Sequence, residues 1–157
     1  MGVEIERKFL VVDDSWRESA SGGMRYRQGY LSTDPGNSVR VRVCGDKAWL
    51  NIKSATVGVT RREYEYEIPA ADANGLLEHL CVRPLIEKTR FVVEHDGRGW
   101  EIDVFEGDNA GLVVAEIELE SASEEFTIPE WAGEDVSNDV RYYNQRLVEH
   151  PYSSWSK

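Results

Sequence analysis

The chain lacks an excess of basic residues: 18 lysines and arginines stand against 29 aspartates and glutamates, a formal net charge of -11. A broad nucleic-acid or anionic-membrane surface needs the opposite balance, so neither partner is expected. Cysteine is scarce. Cys44 and Cys81 form no metal-ligand spacing and no disulfide framework, which fits a reducing compartment. Long apolar runs are missing too, since Phe9-Leu10-Val11-Val12 and Leu112-Val113-Val114-Ala115 are far too short to span a bilayer. No apolar signal region opens the chain, and Gly2 is followed by Glu6 where a myristoylation signal requires Ser or Thr. The cytoplasm is therefore the expected location. His79, His95 and His150 are scattered and make no ligand set, and there is neither a glycine-rich phosphate loop nor a Ser-His-Asp motif.

What is present is a foldable core. A chain of 157 residues that is 41% hydrophobic and 10% aromatic argues against disorder and for one domain over 1–157. Alternating patterns predict strands near 2–11, 25–31, 38–44, 47–54, 60–68, 87–94, 99–106 and 112–121. Turn chemistry separates them, as in Asp34-Pro35-Gly36-Asn37, Gly45-Asp46 and Asp96-Gly97. Helical spacing predicts helices over 72–81 and, before Pro151, near 138–149. Residues 13–24 read as a surface excursion with one helical turn around Trp16.

Thirteen charged residues recur on alternate positions of these strands and sort by sign: Glu4, Glu6 and Lys8; Arg40 and Arg42; Lys53; Glu63 and Glu65; Lys88 and Arg90; Asp103; Glu116 and Glu118. Side chains two apart on a strand share a face, so each group is a row of like-directed charge backed by apolar residues. Taken singly, each row is an ordinary solvated sheet face. Together they pose a choice between an open sheet with its charges in water and a closed barrel with its charges inside. Segregation by sign favours the barrel, because solvated faces usually interleave their charges. The fold class expected is mainly β (α+β), an eight-stranded antiparallel closed barrel with a few flanking helices.

These residues resemble the CYTH superfamily, the triphosphate tunnel metalloenzymes. Its N-terminal Glu-x-Glu-x-Lys matches Glu4-Ile5-Glu6-Arg7-Lys8, and the ordered series that follows, from Arg40-x-Arg42 to Glu116-x-Glu118, carries the likeness over about 1–150. Arg27-Gln28-Gly29-Tyr30-Leu31 and Asp139-Val140-Arg141-Tyr142-Tyr143-Asn144 look like phrases of its short bacterial members. The resemblance implies a tunnel that uses triphosphates with a divalent metal. Lys8, Arg40, Arg42, Lys53, Lys88 and Arg90 would clamp phosphates, as guanidinium forks and ammonium groups do. Glu4, Glu6, Glu63, Glu65, Asp103, Glu116 and Glu118 would be hard oxygen ligands suited to Mg2+ or Mn2+.

Six basic and seven acidic groups sum to -1, so a bare tunnel offers a polyphosphate no net attraction until a cation enters. Crowded carboxylates without that cation hold protons. Lys8, Tyr30, Glu4 and Glu6 are the candidate catalytic set; the Tyr30 hydroxyl either orients Lys8 or belongs to a tyrosine packed at a barrel end. Trp49 shares strand parity with Lys53 and is either a packed tryptophan or a stacking group at a tunnel mouth. The expected activity is metal-dependent hydrolysis of a small triphosphate, preferably inorganic tripolyphosphate, by a monomer or homodimer. A class IV adenylate cyclase, a thiamine or nucleoside triphosphatase, and a binding module that holds polyphosphate without cleaving it stay open as alternatives.

Overall fold

Alternation of apolar and polar residues produces nine strands in the computed structural model, which describes residues 2–155. They are β1 (Gly2–Val11), β2 (Ala20–Ser32), β3 (Asn37–Cys44), β4 (Lys47–Ser54), β5 (Thr60–Ile68), β6 (Ile86–His95), β7 (Arg98–Phe105), β8 (Val113–Glu118) and β9 (Ala132–Asp135). The first eight pair in the order β5-β4-β3-β2-β6-β7-β8-β1, every neighbour antiparallel, and β1 returns to β5. The expected eight-stranded antiparallel barrel is thus formed. Closure is short: β1 meets β5 only through Gly2–Ile5 against Thr60–Glu63. Beyond that point β9, which the sequence pattern did not reveal, pairs with β1 at Phe9 and Val11.

The barrel turns apolar side chains outward, so other segments must cover them. Helix α1 (Ala70–His79) buries Ala73 and Leu77 with Cys81 against Val41, Val43 and Ala48 of β3 and β4. Gly29 makes that approach possible, because a Cβ there would lie 2.8 Å from the Cβ of Cys81. Trp16 was expected on a surface excursion, yet it is fully buried in a cluster with Phe9, Trp100, Ile117 and Trp131. Each such side chain contributes roughly 1.5–3 kcal/mol by leaving water, which anchors the 3-10 turn Ser15–Ser19 to the barrel wall.

The helix expected near 138–149 is instead a 3-10 turn over Val140–Tyr142 followed by α2 (Asn144–Glu149), with Tyr143 extended between them. The segment fills one end of the barrel. Tyr142, Leu147 and Val148 pack with Tyr30, Ile86, Phe105 and Val114 in an apolar plug. No helix among the described residues is long and apolar enough to cross a membrane.

Candidate active site

Above the plug the barrel encloses a cavity of about 200 Å³ whose walls are almost wholly charged. Strand parity brings Glu4, Glu6, Lys8, Tyr30, Arg40, Arg42, Lys53, Glu63, Glu65, Lys88, Arg90, Glu116 and Glu118 to this one space. A second cavity of about 390 Å³, more apolar, adjoins it and shares Thr56, Arg61, Tyr143 and Gln145.

Most of these charges are already matched. Lys53 Nζ donates to both oxygens of Glu4, at 3.1 and 3.0 Å, and lies 3.4 Å from Glu63. Arg61 Nε also donates to Glu4, at 3.1 Å. Burial opposes ionisation of Glu4, but these two cations outweigh it and bring the carboxyl down to about 2. Lys8 lies 3.5 Å from Glu116, and Arg90 lies 3.8 Å from the same carboxylate. Burial opposes ionisation of Glu116 as well, and here too Lys8 and Arg90 prevail and lower its pKa.

Asp103 stands apart from the metal-ligand role expected of it. It is 1% exposed, and its oxygens accept from Lys88 Nζ at 2.7 Å and from Arg90 Nε and Nη2 at 2.7 and 2.9 Å. It sits behind two cations and is not among the residues that line the cavity. Burial lowers the Lys88 ammonium to about 8 even with Asp103 beside it.

Two places on opposite walls remain unmatched. Arg40, 8% exposed, makes no hydrogen bond and no ion pair among the described residues, and its Nε is buried without an acceptor. It lies near other cations, since it lowers the pKa values of Lys53 and Arg42. On the other side, Glu6 and Glu118 face each other across β1 and β8, and neither carboxylate makes a hydrogen bond or a close ion pair among the described residues, Lys8 and Lys53 acting on Glu6 and Lys53 on Glu118 only from further off. Burial, then Glu116 and Glu4, pushes the Glu6 carboxyl up to about 8; burial and three neighbouring glutamates raise Glu118. Strand β3, which carries Arg40, is four strands from β8 by either path around the barrel.

This imbalance tests whether the residues suit a divalent ion. Among the described residues no three acidic, histidine or cysteine side chains already converge as a metal cluster. The uncompensated Glu6 and Glu118, flanked by Glu4 and Glu116, nevertheless form a hard-oxygen donor set whose mutual repulsion a cation would relieve. Hard oxygen donors of this kind suit a divalent cation.

Two alternatives left open by the sequence are narrowed here. The Tyr30 hydroxyl makes no hydrogen bond to Lys8; the ring belongs to the apolar plug, and Lys8 Nζ donates to the Tyr142 carbonyl at 3.1 Å. The Trp49 ring lies against the Arg42 guanidinium, 5.2 Å from centroid to carbon, and Tyr26 lies 5.1 Å from the same carbon. Trp49 therefore holds an arginine.

Among the lining or wall residues that the sequence did not single out are Arg61, Asn51, Glu101 and Asn144. Arg61 engages Glu4, Asn51 donates to Glu65 at 2.5 Å, and Glu101 accepts from Arg90 at 3.1 Å. Each of these three lies two positions before a residue already singled out (Glu63, Lys53 and Asp103), so continuing the alternation backward would have found them.

The site is thus the interior of a closed antiparallel barrel that sets one unpaired arginine on one wall against unpaired carboxylates on the other. Residues 2–152 match the CYTH domain, and the chain belongs to that family. It is 48% identical to an inorganic triphosphatase of Acetivibrio thermocellus over 157 residues, all of both chains. It is 38% identical to an inorganic triphosphatase of Nitrosomonas europaea over 150 residues, 92% of this chain and 96% of that one. The crystal structure of an inorganic triphosphatase superposes with a TM-score of 0.66 at 35% identity, covering 94% of this chain and 95% of the other.

Proposed function

We propose that this protein is a metal-dependent inorganic triphosphatase that hydrolyses tripolyphosphate to pyrophosphate and phosphate within the tunnel. The observation that carries the reading is the unpartnered Arg40 opposite the uncompensated Glu6 and Glu118. A buried guanidinium without a counter-ion suits an incoming anion, and its fork matches phosphate oxygens. Relatives named inorganic triphosphatase, matched over all or more than nine-tenths of the chain, support the same substrate class.

Arg40 and Arg42 on β3, Lys53 on β4, Lys88 and Arg90 on β6 and Lys8 on β1 surround the phosphate chain, and fixing the scissile group this way is the main work phosphoryl transfer asks of protein. Glu6 and Glu118, with Glu4 and Glu116 beside them, would hold the metal, with Glu63 and Glu65 lying further along the same wall. When bound, Mg2+ or Mn2+ supplies charge neutralisation and Lewis acidity toward a phosphoryl oxygen. A water oxygen forms the new P–O bond as the bridging P–O bond breaks, and the proton that water gives up ends on the departing pyrophosphate. Asp103 keeps Lys88 and Arg90 aimed at the chain.

Phosphate release from tripolyphosphate, pyrophosphate, ATP and thiamine triphosphate, with Mg2+ and with Mn2+, tests the assignment. Tripolyphosphate should give the highest kcat/KM, because its third phosphoryl group makes contacts pyrophosphate cannot and the Trp49 ring is engaged by Arg42. Preference for ATP with cyclic AMP as product would overturn hydrolysis in favour of cyclisation. Tight binding with no phosphate release would make the chain a binding module.

A further inference from the structure

The phrase Asp139-Val140-Arg141-Tyr142-Tyr143-Asn144 plays no part in the clamp or metal site described above, yet it touches two of the tunnel lysines. The main-chain carbonyl of Tyr142 accepts from Lys8 Nζ at 3.1 Å. Two residues on, Asn144 Oδ1 accepts from Lys88 Nζ at 3.3 Å and from Gln28 Nε2 at 3.0 Å. One short segment therefore reaches β1, β2 and β6, across the end of the barrel where β5 has parted from β1.

The segment is held firmly enough to set those atoms. Asp139 accepts from its own Arg141 main-chain N–H at 3.1 Å and pairs with the Arg141 guanidinium at 2.6 Å. Ser137 Oγ accepts from the Lys8 main-chain N–H at 2.8 Å, and Val136 N–H donates back to the Lys8 carbonyl at 2.8 Å. Tyr142 and Leu147 on either side of Asn144 are buried in the plug.

We propose that Asn144 is a positioning residue for triphosphate binding, its amide oxygen fixing the Lys88 ammonium so that one N–H stays available to the phosphate chain. An ammonium has three donors. Asp103 takes one at 2.7 Å and Asn144 a second, while the Phe105 ring lies 5.5 Å from the nitrogen. The acceptor is neutral, so it adds orientation without further cancelling the positive charge the anion needs. A carboxylate at the same place would hold the lysine and repel the ligand. The inference rests on the triphosphate reading of the tunnel and assigns that site one more residue.

A double-mutant cycle tests it. Asn144→Ala, Lys88→Ala and the pair are compared by calorimetric Kd for a non-hydrolysable imido analogue of tripolyphosphate with Mg2+, and by kcat/KM for tripolyphosphate itself. Loss of one hydrogen bond to a charged group should weaken binding about tenfold in the wild-type background. With Lys88 already removed, the same change should alter Kd by less than about twofold, since Asn144 then has no ammonium to orient. Equal costs in both backgrounds, or no cost in either, would overturn the proposal and leave Asn144 a mere part of the plug. If Asn144→Ala fails to fold, Asn144→Leu keeps the shape and removes the amide, its acceptor oxygen included, and the same cycle applies. Coupling in Kd without phosphate release would overturn hydrolysis and uphold the inference; hydrolysis with independent costs would do the reverse. Absence of analogue binding to the wild-type protein would overturn both.

Discussion

Arg40→Met should make the ligand-free protein more stable and the enzyme far worse. Arg40 is 8% exposed, its Nε has no acceptor, and Lys53, Arg42 and Lys88 all feel its repulsion. Burying a charge without a partner costs several kcal/mol in principle. Water in the tunnel offsets much of that here, so replacement by an apolar chain of similar length should return about 1–2 kcal/mol. For a domain of this size that corresponds to a Tm higher by about 2–8 °C.

The opposite sign applies to function, where two charge-assisted hydrogen bonds to phosphate are worth at least about 3 kcal/mol, or about a hundredfold in kcat/KM. Saturating ligand should reverse the order of stability, because a ligand at a hundred times its Kd stabilises the wild type by about 2.7 kcal/mol and the variant much less. Thermal melts with and without tripolyphosphate and Mg2+, beside steady-state kinetics, read all three effects. A variant that melts lower in the absence of ligand and keeps its kcat/KM would refute the idea that Arg40 waits for an anion.

Two further outcomes follow from the same charge map. With its carboxyl pushed up to about 8, Glu6 is mostly protonated below that pH, so Mn2+ affinity measured by calorimetry should climb about tenfold per pH unit from 6 toward 8 and then level off. Its folded pKa lies above the unfolded value, so the stability it contributes is complete in acid and lost as pH rises through 8; Glu4, brought down to about 2, contributes stability above the unfolded value that is lost as pH falls through 2. Metal affinity that stays flat between pH 6 and 8, or that keeps its slope in Glu6→Gln, would contradict this. Asp103→Asn should lower stability by about 3–5 kcal/mol by leaving Lys88 and Arg90 without their shared counter-ion, while the metal concentration for half-maximal rate stays unchanged. A shifted metal requirement with an intact melting curve would restore Asp103 as a ligand.

The barrel was legible because its signal is local: a period of two, repeated eight times, survives without knowledge of partners. Departures occurred where a distant partner overrides local preference. Ala20-Ser21-Gly22 has the composition of a loop, yet it is strand because it pairs with Phe91–Val93 of β6. Four residues of β9, mostly polar or small, carry no alternation to read. The periodicity of Val140, Tyr143 and Leu147 suggested one helix, but Val140 is exposed and Tyr142 is the buried residue, as the Lys8 contact with the Tyr142 carbonyl and the plug require.

Parity told which residues share the tunnel; it could not tell which of them neutralise one another. That is fixed by register between strands far apart in sequence. Asp103 stands opposite Arg90 on β6, so it becomes their counter-ion, whereas Arg40 stands opposite Tyr30 and Asn51 and finds none. Glu118 stands opposite Glu6 for the same reason. The surplus of each sign is therefore stranded on its own wall, too far around the barrel for one to cancel the other. A divalent cation alone would relieve the acids and leave Arg40 bare, and a polyanion alone would relieve Arg40 while facing Glu6 and Glu118. Only the two together satisfy both walls, so each should raise the other's affinity, and by linkage to the same degree.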